Sequence, residues 1–437
     1  MPPLSNLIPG LLNALPSRLR LQPSVMLDKN TDTTSPRKHP DTPESDINKP
    51  RVDPDRQLIL PCQTHSDEET RRARHQDRGQ FLARQERWED LHNEIAHADA
   101  SRAATPSGVT VATLLAAGAR SDVVLAAEDA LNDAATPGLA GIEALEQVLA
   151  EHPGLYGIAL VTALAHIDIG WAWRGTGWRC EVSPRHKQLF QAHFARAEAI
   201  LDAHCSLELN APSLAGARCA LLAAQARPQD RVADDYEDLI DLDPHNPHPM
   251  RAMGNHLLPR WFGSYQTLEL EARRTAARSA ETWGAGAYTW VYLDALAVDP
   301  MAAHNLDVDF FVEGMRDILA RQPNQHTVNR MAAFAAITMS PDRAATDLTP
   351  QATAARAALA TCLDWIIAEH LHEVHPLIWA AAAAGPDIRA NPPPRNALVH
   401  LGQTLARATI ARHFADDLDQ GTTISISKHG LRRYPAL

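Results

Sequence analysis

Two stretches of the chain carry residue types that could do chemistry. EHLHEVH, residues 369 to 375, sets Glu369 and His372 three residues apart, with Glu373 and His375 just beyond. Residues three apart share a helix face, and a carboxylate with an imidazole at that spacing is part of what a metal centre in a helical bundle requires. Glu89/His92 and Glu94/His97 repeat the spacing on an earlier segment. One reading of the chain is therefore a helical metal-dependent hydrolase built on Glu369, His372, Glu373 and His375. Such a centre needs further inward glutamates on other helices, which nothing in the sequence marks, and no H-E-x-x-H is present.

The second stretch is WAWRGTGW, residues 171 to 178, in a chain of which only 5% is aromatic. Trp and Arg are enriched where proteins meet partners, and guanidinium stacks on indole. The two glycines do not make a nucleotide loop, because the Lys-Ser/Thr ending and a preceding parallel strand are missing. Trp171 and Trp173 are expected to pack in the core at a helix end, which leaves Arg174, Trp178 and Arg179 for a partner. Asp168, in the same apolar run, needs a counter-charge if buried, and Arg174 or Arg179 is the nearest source.

PRWFGSY, residues 259 to 265, places Ser264 to cap a helix beginning near Tyr265. A third aromatic group, Trp283, Tyr288, Trp290 and Tyr292, surrounds Gly284 and Gly286. Stacked in order, the three groups would line one face of a helical array, so Arg260, Trp261 and Tyr265 join the partner-binding candidates. His245 and His248 in DPHNPHP read as exposed imidazoles of a proline-fixed turn. No G-x-S-x-G occurs, no catalytic residue is assigned, and no cofactor is expected.

The elements that must position these residues are helices. From residue 106 to 385 the chain is Ala- and Leu-rich, with helical spacing interrupted by Pro, Gly, Asn or Asp at short intervals. Short breaks make successive helices antiparallel neighbours. The expected fold is all-α, an irregular α-solenoid of antiparallel helix pairs. Residues 62–105 read as one long charged helix with a narrow apolar stripe through Phe81, Trp88, Leu91 and Ile95. Residues 1–61, rich in proline and polar residues, read as a disordered arm. Residues 386–437 read as a linker, a terminal helix and a tail in which TTISIS alone looks strand-like.

With 437 residues, of which 45% are hydrophobic, the chain can bury a sizeable core. A net charge of −12 argues against nucleic acid as a partner. Residues 155–173 are long enough to cross a bilayer but contain His166 and Asp168, and an Asp near a span centre costs about 3 kcal/mol. A buried helix is expected there, with no membrane partner. LIPGLLNAL near the start contains Pro9 and precedes Arg18 and Arg20, so it is not read as a signal peptide. Five dispersed cysteines without C-x-x-C suit a reducing cytoplasm.

LLPRWFGSYQTLELEARRTA, residues 257 to 276, together with GWAWRGTGW, resembles bacterial tetratricopeptide-like proteins carrying a domain of unknown function. Pro259, Arg260, Trp261, Gly263 and Ser264 match that family's segment, with Phe262 at its variable position. Trp290, Leu293 and Phe310 keep tetratricopeptide spacing without its glycine and closing proline. The resemblance covers about residues 140 to 340 and implies a helical-repeat fold without implying an activity. The leading expectation is a module that binds a protein or peptide.

Overall fold

The computed structural model describes residues 57–175, 181–341, 347–385 and 393–435. Residues 1–56 of the expected arm lie outside them. The described chain is mostly helical, as its composition implies.

Ser66 opens the first helix, α1 (Asp67–Arg84), with a capping box in which its hydroxyl and the Glu69 carboxylate bond each other's backbone N–H. The single charged helix expected over 62–105 is instead two, α1 and α2 (Trp88–Ala100), separated at Glu86, whose φ is +55°. The apolar pattern explains the break. Leu82 and Leu91 are both fully buried, yet on one straight helix nine residues would turn them to opposite sides at about 100° per residue. Phe81, counted in the expected stripe, is exposed.

Next come α3 (Val111–Asn132), α4 (Ala140–Glu151), α5 (Tyr156–Arg174) and α6 (Pro184–Asp202). Backbones of α1 and α3 approach at two glycines: a Cβ on Gly79 would lie 2.0 Å from the Leu115 carbonyl oxygen, and one on Gly118 1.8 Å from that of Gln76. Nearly all of α5 is buried. Asp168 finds a counter-charge there in Arg120 on α3 at 2.7 Å, a partner not among the two arginines expected for it, of which Arg179 lies outside the described residues. The correction follows from helix packing, which brings residues 48 apart in sequence side by side. Trp173 is buried and Trp171 packs edge-on against Phe190 and Phe194, as expected of core aromatics. Among the described residues no helix is long and apolar enough to cross a membrane.

Helix α7 (Pro212–Leu221) is shared between two apolar cores. Leu214, Ala217 and Leu221 join the core built by residues 82–224, while Ala215 and Cys219 join a larger one reaching to Ile426. The second core is made by α8 (Val232–Leu242), α9 (Pro247–His256), α10 (Tyr265–Arg278), α11 (Ala280–Trp283), α12 (Gly286–Val298), α13 (Val308–Arg321), α14 (Gln325–Ala333), α15 (Pro350–Ala360), α16 (Cys362–Glu369), α17 (Pro376–Ala384), α18 (Arg395–His413) and α19 (Ala415–Asp419).

Two contacts set the register of α9 on α12. Arg251 pairs with Asp294, and a Cβ on Gly254 would lie 1.8 Å from the Val291 carbonyl oxygen. The residue numbers rise on one helix as they fall on the other, so the pair is antiparallel. Gly254→Ala is expected to force the helices apart and lower stability by about 1–3 kcal/mol, measurable as a reduced urea midpoint. An unchanged midpoint would mean that the seam yields freely.

The ends of the described chain meet. Strand β1 (Leu58–Ile59) pairs in parallel with β2 (Thr423–Ser427), which pairs antiparallel with β3 (Gly430–Tyr434). Leu58 lies opposite Ile424, and Ile424 and Ile426 point into the core. The backbones of Pro61 and Gln63 bond Val374, and Arg395 holds Glu69 at 2.7 Å. Residues 57–61, assigned to a disordered arm from their composition, are thus part of the fold, because β2 supplies the backbone partners they lack alone.

Candidate functional site

The second core encloses a polar cluster where the first turns of α1 meet α9, α12 and α14. Glu68 and Arg72 lie one turn apart on α1. The Glu68 carboxylate accepts from the Ser107 hydroxyl at 2.6 Å, the Ser107 N–H at 2.9 Å and the Thr105 hydroxyl at 3.1 Å. Gly108 (φ +89°) lets this loop press on the turn before α9: a Cβ there would stand 2.7 Å from Asn246 Oδ1 and 3.3 Å from His248 Cβ. His248 lies in the first turn of α9 itself. From α9 comes Arg251, whose Nη2 donates to both oxygens of Asp294 on α12 at 2.9 and 2.7 Å.

From α14 come His326 and Arg330, with Arg330 Nη2 donating to His326 Nε2 at 3.1 Å. The same helix clamps the turn that follows α16. Gln325 bonds the backbone of His370, His372 and Glu373. Fully buried Asn329 makes four bonds, to Gln325 O, Glu373 O, the His375 N–H and Trp379 Nε1. His375 is thereby held with its ring centroid 6.4 Å from that of His326, and its Nε2 donates to Glu373 at 3.0 Å.

Among the described residues, several buried nitrogens of this cluster have no hydrogen-bond partner: Arg72 Nη2, Arg251 Nε, His248 Nε2, His326 Nδ1 and His375 Nδ1. The Arg251 side chain is 7% exposed. Guanidinium can only donate, so His326 Nε2 is the acceptor and its Nδ1 carries the proton. Buried donors are ordinarily satisfied. Here at least three converge on one region.

Charge points the same way. Arg72, Arg251 and Arg330 are opposed by Glu68 and Asp294, which leaves one guanidinium in excess. Burial, with Arg251 beside it, pushes Arg330 down to about 9, still cationic at neutral pH. Burial would by itself raise Asp294, yet Arg251 and Arg330 hold it below the usual carboxylate range. Burial first, then the neighbouring guanidiniums, hold His248 at about 4 and His326 at about 2, so both rings are neutral. The arrangement suits one monoanionic group with oxygens that accept from several directions.

Two other buried polar clusters are held by hydrogen bonds within the fold. Asp99 accepts from the Ser213 N–H and hydroxyl and from Tyr156, and burial raises its carboxyl. His166 bonds His193 and Glu146, with Arg196 closing on Glu146 at 2.7 Å. These tie helices together.

The residues singled out from sequence fall elsewhere. Trp178 and Arg179 lie outside the described residues. Arg174 ends α5, buried beside the first core, with Nη1 donating to Gly175 O. Arg260, Trp261 and Tyr265 do come together, at the bend between α9 and α10 beside the second core. Ser264 caps α10 as expected, accepting from the Thr267 N–H. All three are half-buried: Trp261 packs edge-on against His256, and Tyr265 donates to Asp299 at 2.9 Å. Trp283, Tyr288, Trp290 and Tyr292 are not a lining but fully buried core, because α12, which carries the last three, is covered by other helices along nearly its whole length. His245 is exposed as expected, whereas His248 is tucked in behind Gly108.

The histidine-rich segment is not one helix. Helix α16 stops at Glu369, and His375 is the N-cap of α17, so Glu369 and His372 do not share a helical face. Leu371 and Val374 are buried and pull the intervening residues into a turn. Glu373 and His375 meet; Glu369 instead lies 3.9 Å from Arg316 and from His370. Among the described residues no group of three or more His, Cys, Asp or Glu side chains is placed to hold a metal ion.

Arg72, Arg251, Asp294, His326 and Arg330 were not singled out from sequence. The signal existed for two of them: Arg251 in PMRAMGNHLL and Asp294 in YTWVYLDALAV are charges inside apolar runs, as Asp168 is. Comparison of the chain with family models, curated proteins and solved structures finds no match, so the arginine-histidine cluster has to be interpreted from its own chemistry.

Proposed function

We propose that this protein is a binding module whose ligand presents a carboxylate to Arg72, Arg251 and Arg330. The observation that carries the reading is the excess guanidinium in a buried cluster in which Arg72 Nη2, Arg251 Nε and His326 Nδ1 have no partner among the described residues. A carboxylate supplies one negative charge and about four lone-pair sites, and bidentate contact with Arg fits its plane. A phosphate dianion would overcompensate the single excess charge.

The binding-module reading drawn from sequence is kept, with its anchor moved from the aromatic groove at Arg260, Trp261 and Tyr265 to the arginine cluster. For the architecture we propose an irregular, tetratricopeptide-like array of helix pairs whose ends are joined. Supporting it are the neighbouring consecutive helices α5 with α6, α12 with α13, and α17 with α18, and the contacts between residues 57–69 and the C-terminal elements.

Calorimetric titration with hexanoate as a monoanionic probe tests the function. The wild type is expected to bind it, and Arg72→Gln and Arg330→Gln each to weaken binding roughly tenfold, since a charge-assisted bond contributes about 1.5–3 kcal/mol. Inorganic phosphate is the comparator. No hexanoate binding by the wild type, or equal binding by both variants, overturns the proposal.

A further inference from the structure

Four polar side chains from three helices form one line at the edge of the first core. Glu146 on α4 accepts from Arg196 on α6 at 2.7 Å and from His166 Nε2 on α5 at 2.9 Å, and His166 Nδ1 lies 2.9 Å from His193 Nδ1, back on α6. His166 is buried. Gly170, one turn beyond His166, is what brings α6 so close: a Cβ there would stand 3.0 Å from the Phe194 ring and 3.3 Å from His193 Cβ.

At neutral pH the line admits one arrangement of protons. Burial would raise Glu146, but the bonds from Arg196 and His166 hold it below the usual carboxylate range, so it is ionised and can only accept. His166 Nε2 therefore carries a proton, His166 Nδ1 is a bare lone pair, and His193 must donate to it from Nδ1. A first added proton goes to His193 Nε2 and leaves the bond intact. A second has only His166 Nδ1 to take, where it would point at the His193 Nδ1–H across 2.9 Å. Two imidazoliums cannot keep this contact. Glu146 and Arg196 are the charged groups acting on the pair. The other helices on α5 turn their charges elsewhere: Arg120 of α3 pairs with Asp168, His92 of α2 accepts from the Gly157 N–H, and Arg218 of α7 is bound to Asp202.

We infer that His166 and His193 form an acid-released latch, which ties α6 to α5 and α4 while both rings are neutral and frees α6 when both take protons. Each freed imidazole binds a proton near its ordinary value of about 6.5, whereas the closed pair accepts at most one. Burial, together with His166, also holds His193 down at about 4 in the closed state. Closure is therefore complete above pH 6.5 and weakens as the pH falls toward 4. Release uncovers Phe190, Phe194, Ala197 and Leu201, the buried face of α6. The latch is independent of the carboxylate reading, which uses none of these residues.

Hydrogen exchange of the full chain at pH 7.5 and pH 5, corrected for the intrinsic pH dependence of exchange, tests the latch. In wild type the protection of the α6 amides is expected to fall at least about tenfold, since one ring alone shifts the opening equilibrium up to about thirtyfold over that interval. In His166→Gln/His193→Gln, whose amides bond without titrating, the fall should be less than about threefold. No fall in wild type, or an equal fall in the double variant, overturns the inference. Nitrogen NMR of the histidine rings at pH 7.5 is the second readout: the proton is expected on Nδ1 of His193 and on Nε2 of His166, and the reverse assignment overturns the latch. If the double variant does not fold, His193→Gln replaces it: a fall reduced at least about threefold supports the inference, and an unchanged fall overturns it.

Discussion

Asp294→Ala is expected to destabilise the protein by about 3 kcal/mol or more, in the lower part of the 3–5 kcal/mol range for breaking a buried ion pair because Asp294 keeps some exposure. The cost is that of an uncompensated charge. Without Asp294, Arg251 loses the acceptor of both its Nη2 bonds, and Arg330 loses the carboxylate that favours its charged form. Only Glu68 then opposes three guanidiniums. The double variant Arg251→Leu/Asp294→Leu should recover much of the loss, since apolar replacement of a buried pair is often neutral or better. Urea unfolding of wild type, single and double variants measures this. A single-variant cost below about 1 kcal/mol would show that the pair is effectively solvated and would remove the charge argument for an anionic ligand.

Acid should unfold the protein earlier than carboxylate protonation alone would. Burial depresses His248, His256 and His326 to about 4, about 4 and about 2, against about 6.5 for an unfolded histidine. Below pH 6.5 the unfolded chain therefore binds protons that the folded chain refuses. The stability these rings contribute is present above pH 6.5 and is lost as pH falls toward 4, with an upper slope of about 1.4 kcal/mol per unit for each ring. By pH 5 the loss approaches 2 kcal/mol per histidine, or several kcal/mol in total. Asp99 and Asp243, raised by burial, act in the opposite sense and soften the slope. Urea midpoints at pH 7, 6 and 5 measure it. A flat profile would mean that these rings find protons, and hence water, in the folded state.

Much of the helical framework was legible because its cues are local. Ser264 capping α10 is read from residues within one turn of where it acts. The strand at TTISIS was legible from its alternation, but not its neighbour Leu58–Ile59, two residues with no pattern of their own. The break at Glu86 was missed because the apolar spacing through Phe81, Trp88, Leu91 and Ile95 fits one helix. Only the burial of Leu82 instead of Phe81 shows that the chain turns. The aromatic groups misled for a related reason: an indole that lines a groove and one that fills a core look alike until the neighbouring helix is in place.

The opening questions divide along the same line. WAWRGTGW set its tryptophans at a helix end, and Trp171 and Trp173 are packed as such, while EHLHEVH turned out to be a turn rather than a ligand-bearing helix. Sequence alone determined that this is a mostly helical chain, where several of its helices begin, and that Asp168, a charge inside an apolar run, must find a partner. It did not determine which partner. That choice was made by the tertiary structure, because the distance between two helices depends on a missing Cβ at Gly254 and on a register across 43 residues. Those same contacts gather three arginines around two carboxylates. Periodicity within one helix carries no information about the helix it will face.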